Sequence, residues 1–193
     1  MAVMTIHDRT AFLRAWLAAP LRVASIAPSS PALARLITSE IVPGSGHVVE
    51  LGAGTGVFTR ALLARGVDEA DLTLVELDMD LVALLRRRFP RARVLRMDAA
   101  DLADAGLLCL SPVVAVISGL PLLGMADVKV AATLSGAFGL MGKEGAFYQF
   151  TYGPRCPVRG TVLQSLGLRH FRVGRALANL PPATVYRIAR DRA

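Results

Sequence analysis

The sequence predicts an α/β fold: a seven-stranded, mostly parallel sheet with one antiparallel strand and helices on both faces. Three observations carry this. From residue 47 onward, strand-like and helix-like stretches alternate regularly, which implies right-handed crossovers between parallel strands. The first of these strands, His47 to Leu51, runs into Gly52-Ala53-Gly54-Thr55-Gly56, a tight turn that opens a helix. The last two strands are joined by Leu177-Ala178-Asn179-Leu180-Pro181-Pro182, which is short and holds no helix, so they pair antiparallel.

The elements follow in order. Residues 5–19 read as a moderately amphipathic helix, with Phe12, Leu13, Trp16 and Leu17 on one arc and Arg9 intruding. Pro20 ends it. Ser30 as N-cap and Pro31 in the first turn start a second helix over 31–41. Strands are expected at 47–51, 72–77, 93–97, 112–118 and 145–152. Helices are expected at 57–65, 80–88 and 126–141, with a weaker one near 101–107. A helix near 158–166 and strands at 168–175 and 183–189 complete the chain.

Length and composition bound the reading. At 193 residues the chain is expected to form one domain, with 1–41 leading into a core over 47–193. Hydrophobic residues make up 53%, which argues against disorder. No apolar run is long enough to span a bilayer, and no secretory signal is visible, so a cytoplasmic location is expected. Cys109 and Cys156 are isolated and read as reduced thiols, and no metal site is expected. The formal charge of +7 suits a polyanionic partner, either nucleic acid or an anionic membrane. The three histidines have no partners in sequence and read as structural. Arg86-Arg87-Arg88 reads as a solvated face at a helix C-terminus.

The chemistry belongs beyond the carboxyl ends of the parallel strands. Gly52 and Gly54, lacking Cβ atoms, let the backbone turn sharply and approach a ligand. A dinucleotide fingerprint would need glycine at Val57. Glu50 instead stands just before the turn, and a carboxylate suits a ligand with a positive end rather than a pyrophosphate. Glu76 ends the next strand at about the twenty-residue offset of an acid that grips a ribose. Asp98 follows the third strand, either to meet a ligand or to cap the next turn. Ser118-Gly119-Leu120-Pro121 leaves the fourth. On the fifth, Tyr148, Phe150 and Tyr152 share a face, with Tyr152 at the edge and Arg155 beyond it.

The run Glu50 to Gly56, with Glu76, resembles motif I of the Rossmann-like class I S-adenosylmethionine-dependent methyltransferases. In that family the turn lies against the methionine part of the cofactor, the second acid holds the ribose, and an acid like Asp98 meets the adenine. The resemblance implies cofactor contacts at Glu50, Gly52, Ala53, Gly54, Thr55, Gly56, Glu76, Leu77, Asp98, Ala99 and Ser118, with S-adenosylhomocysteine as product. Adenine-methylating relatives carry a polar residue before Leu-Pro and an aromatic after it, to stack the flipped base. Here these are Gly119 and Leu122, which counts against an rRNA adenine dimethyltransferase-like activity; that activity stays the alternative, and no nucleic-acid partner is expected. The backbone carbonyls of Gly119 and Leu120 remain to accept from a small amine, and Tyr152 to hold an ammonium by its ring face.

Further stretches are Ala27-Pro28-Ser29-Ser30, Gln149-Phe150-Thr151-Tyr152-Gly153-Pro154 and Asn179-Leu180-Pro181-Pro182-Ala183. With these, nearly the whole chain resembles the soluble, rhizobial-type bacterial phospholipid N-methyltransferases, which convert phosphatidylethanolamine to phosphatidylcholine. That resemblance implies a catalytic role for Gly119, Leu120 and Tyr152. It also implies substrate contacts at Ser29, Ser30, Tyr148, Tyr152, Arg155 and Asn179. Family members dock an N-terminal amphipathic helix on anionic membrane, which suits Arg9, Phe12, Leu13, Trp16 and Leu17; the alternative is that this helix packs on its own domain as a lid over the cofactor. A monomer, peripheral to the inner face of the cytoplasmic membrane, is therefore expected.

Overall fold

The computed structural model describes residues 30–104, 112–179 and 181–191. The helix expected at 5–19, with Arg9, Phe12, Leu13, Trp16 and Leu17, lies outside the described residues, as do Ser29 and Cys109.

Helix α1 (Pro31–Ile37) begins where the sequence places it. The Ser30 hydroxyl oxygen accepts from the Leu33 N–H at 3.2 Å. It ends four residues earlier than expected, because the Thr38 hydroxyl donates back to the Ala34 carbonyl at 2.9 Å and the chain turns. Strand β1 (His47–Leu51) is buried on both faces, as an internal parallel strand must be. Next come α2 (Val57–Ala64), β2 (Leu72–Glu76), α3 (Met79–Arg88) and β3 (Arg93–Arg96). The weak helix near 101–107 is a 3-10 segment over Ala99–Asp104 within the described residues.

Strand β4 (Val113–Ser118) leads through a 3-10 turn at Leu122–Gly124 to α4 (Asp127–Leu140). Strand β5 (Met141–Thr151) starts four residues before the expected 145, because α4 passes into it with no loop between. Met141 pairs with Val113 and Ala146 with Ala115, so the intervening residues bulge out and Gly142, Lys143 and Glu144 are exposed. Then follow α5 (Gly160–Ser165), β6 (Leu168–Ala176) and β7 (Ala183–Arg190).

The sheet has seven strands in the order β3-β2-β1-β4-β5-β7-β6. β7 alone runs antiparallel, pairing with β5 on one side and β6 on the other. Alternation along the strands builds two cores. Val48, Leu74 and Ile117 pack beneath α1, α2 and α3; Val49, Leu51 and Phe147 pack beneath α4 and α5. The chain order reverses between β1 and β4, and a crevice opens there at the carboxyl ends.

Candidate functional site

The crevice is a cavity of about 510 Å³ at the carboxyl ends of the strands. Its floor is the glycine turn. Gly52 (φ 65°) and Gly54 (φ 56°) are left-handed, where a side chain is strained. The fit with the neighbouring loop is equally exacting: a Cβ on Gly52 would lie 2.9 Å from Leu120 Cδ2, and one on Gly119 would lie 2.7 Å from the Gly52 carbonyl oxygen. The β1 and β4 exits therefore touch backbone to backbone.

Glu76 shapes this turn. One carboxylate oxygen accepts from the Gly54 N–H at 2.8 Å, and the other from Leu77 and Asp78 at 2.8 and 3.1 Å. Arg60 and Arg88 both donate to the Thr55 carbonyl, at 3.1 and 2.9 Å. Arg88 is thus a tether on the turn, beyond the solvated role expected of its run.

Glu50 is buried. One oxygen accepts from the Thr59 hydroxyl at 2.6 Å, one turn into α2, while Oε1 has no partner among the described residues. Burial pushes its pKa up to about 8, against the lowering effect of the Thr59 bond. An unpaired carboxylate oxygen beside a cavity suits a ligand that brings a cation. The residues present therefore fit the ammonium end of S-adenosylmethionine. Glu50 bears on stability too. Its pKa is raised on folding, so its contribution is full below the unfolded value of 4.5 and is lost as pH rises through about 8. A cationic ligand restores ionisation. Titration with S-adenosylhomocysteine at pH 7 should therefore release a proton, visible as heats that differ among buffers, and Glu50→Gln should remove the release. Buffer-independent heats in the unsubstituted protein would reject the pairing.

Asp98 serves both readings. One oxygen caps the 3-10 segment by accepting from Ala100 at 3.0 Å, and the other meets Lys129 Nζ at 2.6 Å, which holds its pKa below the usual range. Both side chains line the cavity. Nothing in the sequence spacing pointed to Lys129, because its contact is made only when α4 folds over the β3 exit.

Of the other expected residues, Ala53, Thr55, Leu77, Ala99, Gly119, Leu120 and Tyr152 line the cavity. Gly56 does not: it is the left-handed N-cap of α2, and a Cβ there would lie 2.4 Å from the Phe89 ring. Ser118 is buried, and its hydroxyl oxygen accepts from Leu120 N–H at 3.3 Å. The Leu120 carbonyl, expected to face an amine, already accepts from Leu122 N–H at 3.0 Å and Gln149 Nε2 at 2.9 Å. Both its lone pairs are taken, so the free acceptor role falls to Gly119, whose carbonyl meets no donor among the described residues.

Phe58, Phe150 and Tyr152 form one wall of the cavity, edge to face at 5.9 and 5.5 Å. Phe150 both packs against the core and lines the cavity. Burial raises the Tyr152 hydroxyl pKa, and the Asn179 side chain bonds to that hydroxyl. Asn179 in turn accepts from Ser30 N–H at 3.0 Å and donates to the Pro181 carbonyl at 2.7 Å. Ser30 and Asn179 thus hold the wall from behind and do not line the cavity. Tyr148 also stays outside, donating to Glu40 at 3.1 Å, and Arg155 is exposed beyond the rim. Leu122 is 2% exposed and packs into the core under α4.

No family model matches the chain. It is 36% identical over 94 residues to ribosomal RNA small subunit methyltransferase A of Acidithiobacillus ferrooxidans, covering 47% of this chain and 34% of that protein. It is 37% identical over 83 residues to the ornithine lipid N-methyltransferase of Singulisphaera acidiphila, covering 42% of this chain and 43% of that protein. The chain thus spans between about a third and just under half the length of these relatives. Among solved structures, a TehB-like SAM-dependent methyltransferase of Corynebacterium glutamicum superposes with a TM-score of 0.63 at 17% identity, over 97% of this chain and 100% of that one. The glycopeptide N-methyltransferase MtfA complexed with S-adenosylhomocysteine superposes at 0.58 with 14% identity, over 81% and 85%. Sheet order, glycine turn and these superpositions agree: the chain has the fold of the class I S-adenosylmethionine-dependent methyltransferases.

Proposed function

We propose that this protein transfers methyl groups from S-adenosylmethionine to the headgroup amine of phosphatidylethanolamine, and of its mono- and dimethyl forms, at a membrane surface. The observation that carries this reading is the acceptor end of the cavity. Within residues 119–121 it offers a free backbone carbonyl at Gly119, beside an aromatic wall, while the position where a base-stacking ring would stand holds Leu122, an aliphatic side chain only 2% exposed at the cavity lining. A small amine is accommodated there; its N–H is accepted by Gly119, and each added methyl gains contact with Tyr152.

In this reading Glu50 binds the cofactor's ammonium, Glu76 its ribose hydroxyls and Asp98 its adenine. Bound there, the cofactor supplies an electrophilic methyl on a sulfonium. The protein's task is then positioning and exclusion of water. The amine must be neutral to attack, which at pH 7 costs roughly 4 kcal/mol for an alkyl ammonium. Apolar walls lower that cost by disfavouring the charged form. Burial disfavours the Tyr152 phenolate, which argues against that hydroxyl as the proton's acceptor. The proton leaves to solvent.

The charge distribution supports an anionic surface as partner. Residues 141–191 hold eight Lys and Arg against two acids, whereas residues 30–140 hold ten against twelve. The positive excess therefore lies with β5, β7 and β6. No helix among the described residues is long and apolar enough to cross a membrane. Docking is assigned to residues 5–19, where fully burying Phe12, Leu13, Trp16 and Leu17 would give roughly 6–12 kcal/mol.

The test is incubation with labelled S-adenosylmethionine and phosphatidylethanolamine vesicles, beside ribosomal RNA. Label is expected in lipid. Trp16→Ala and Leu17→Ala should lower lipid labelling at least about tenfold and leave S-adenosylhomocysteine affinity unchanged. If affinity falls in parallel, residues 5–19 cover the cofactor site instead of docking.

A further inference from the structure

Gln149 stands opposite Ser118 on β5 and is 1% exposed. Its Nε2 donates to the carbonyls of Leu120 at 2.9 Å and Phe150 at 2.8 Å. The orientation of the amide is settled by those two partners, since the flipped amide would set an oxygen against two carbonyl oxygens. Oε1 is then left buried with no partner among the described residues. An unmet buried acceptor destabilises the fold. An apolar residue of the same size would fill this strand position without that cost. The amide is thus retained for the bonds it donates.

Those bonds act on the reacting end of the cavity. The Leu120 N–H is held by Ser118 Oγ, and the Pro121 carbonyl accepts from Gly124 N–H at 2.9 Å. With the Leu120 carbonyl held inward by Leu122 N–H and Gln149, the carbonyl of Gly119 alone among those of residues 119–121 is left for a ligand. Remove the Gln149 donor and the Leu120 carbonyl is held by the Leu122 N–H alone, so that it can turn toward the cavity and compete with Gly119 for the acceptor nitrogen.

We propose that Gln149 is the positioning residue of methyl transfer: by holding the Leu120 carbonyl inward, it fixes the Gly119 carbonyl as the one acceptor that orients the attacking nitrogen. This rests on the methyltransferase reading but not on the lipid, because the headgroup amine and a base amine both present an N–H. The test variant is Gln149→Met, with Gln149→Leu carrying the same measurements should methionine strain the strand. Each is run on whichever acceptor the unsubstituted protein labels, so the lipid reading stands or falls in a separate arm.

The expected result is at least about a tenfold loss in kcat, with the acceptor KM and S-adenosylhomocysteine affinity within about twofold. Amide hydrogen exchange should rise across residues 119–124 and stay unchanged in the glycine turn; this readout needs no acceptor. Unchanged exchange in 119–124 would overturn the proposal. So would a retained kcat, or equal losses in kcat and cofactor affinity, which would make Gln149 merely structural.

Discussion

Glu76→Ala should lose on the order of a hundredfold in affinity for S-adenosylhomocysteine while the protein stays folded. The side chain holds three backbone N–H groups, those of Gly54, Leu77 and Asp78. In the proposed role it also accepts from the ribose hydroxyls. Bonds to a charged acceptor are worth about 1.5–3 kcal/mol each, and losing the equivalent of two on binding, at the low end of that range, gives a factor of that order. The fold should survive because Glu76 is at the carboxyl edge and only partly buried, so water replaces it. Gly54→Val tests the same turn by another route. A Cβ there meets no protein atom closer than the Gly52 carbonyl oxygen at 4.0 Å, so the side chain would occupy the space the ligand approaches. The left-handed backbone adds roughly 1–2 kcal/mol or more for a β-branched residue, which shifts the turn off its ligand. Near-normal affinity by calorimetric titration in both variants would reject the cofactor assignment.

What the sequence made legible was whatever depends on local spacing. The strand–turn–helix at 47–64, Ser30 as N-cap and the antiparallel ending at 183–190 all follow from residue type and separation. Element ends were less accurate where a tertiary contact decides them, as at Thr38 and at the direct passage from Leu140 into Met141. The site divides in the same way. Glu50, Gly52, Gly54, Glu76 and Asp98 lie at strand exits that alternation locates, and all line the cavity. Lys129, Thr59, Arg88 and Gln149 reach the site across the fold, and no periodicity announces such contacts. Tyr148, Ser30 and Asn179 show the converse: placed correctly on their elements, they spend their polar atoms on neighbouring elements outside the cavity. The Leu120 carbonyl is the sharpest case. Its place in the loop was readable, but its two donors were not.

Tyr152→Ala is expected to cost about tenfold or more in lipid labelling, and Tyr152→Phe about threefold or less. The two substitutions remove different things. Alanine removes the ring, and with it the edge-to-face contact to Phe150 at 5.5 Å and the surface offered to an ammonium. A cation–π contact is worth about 0.5–2 kcal/mol, more when desolvated, and the packing loss adds to it. Phenylalanine keeps the ring and loses only the bond to Asn179, which is still held by Ser30 and Pro181. The gap should widen for the mono- and dimethyl lipids, whose amines carry more apolar surface against the ring. Thin-layer separation of the labelled lipids resolves each methylation step in one experiment. Label in RNA with none in lipid would overturn the substrate reading. A larger loss in Tyr152→Phe than in Tyr152→Ala would discard the ring's role and assign Tyr152 to the hydroxyl link with Asn179, a brace for the wall with no direct contact to the amine.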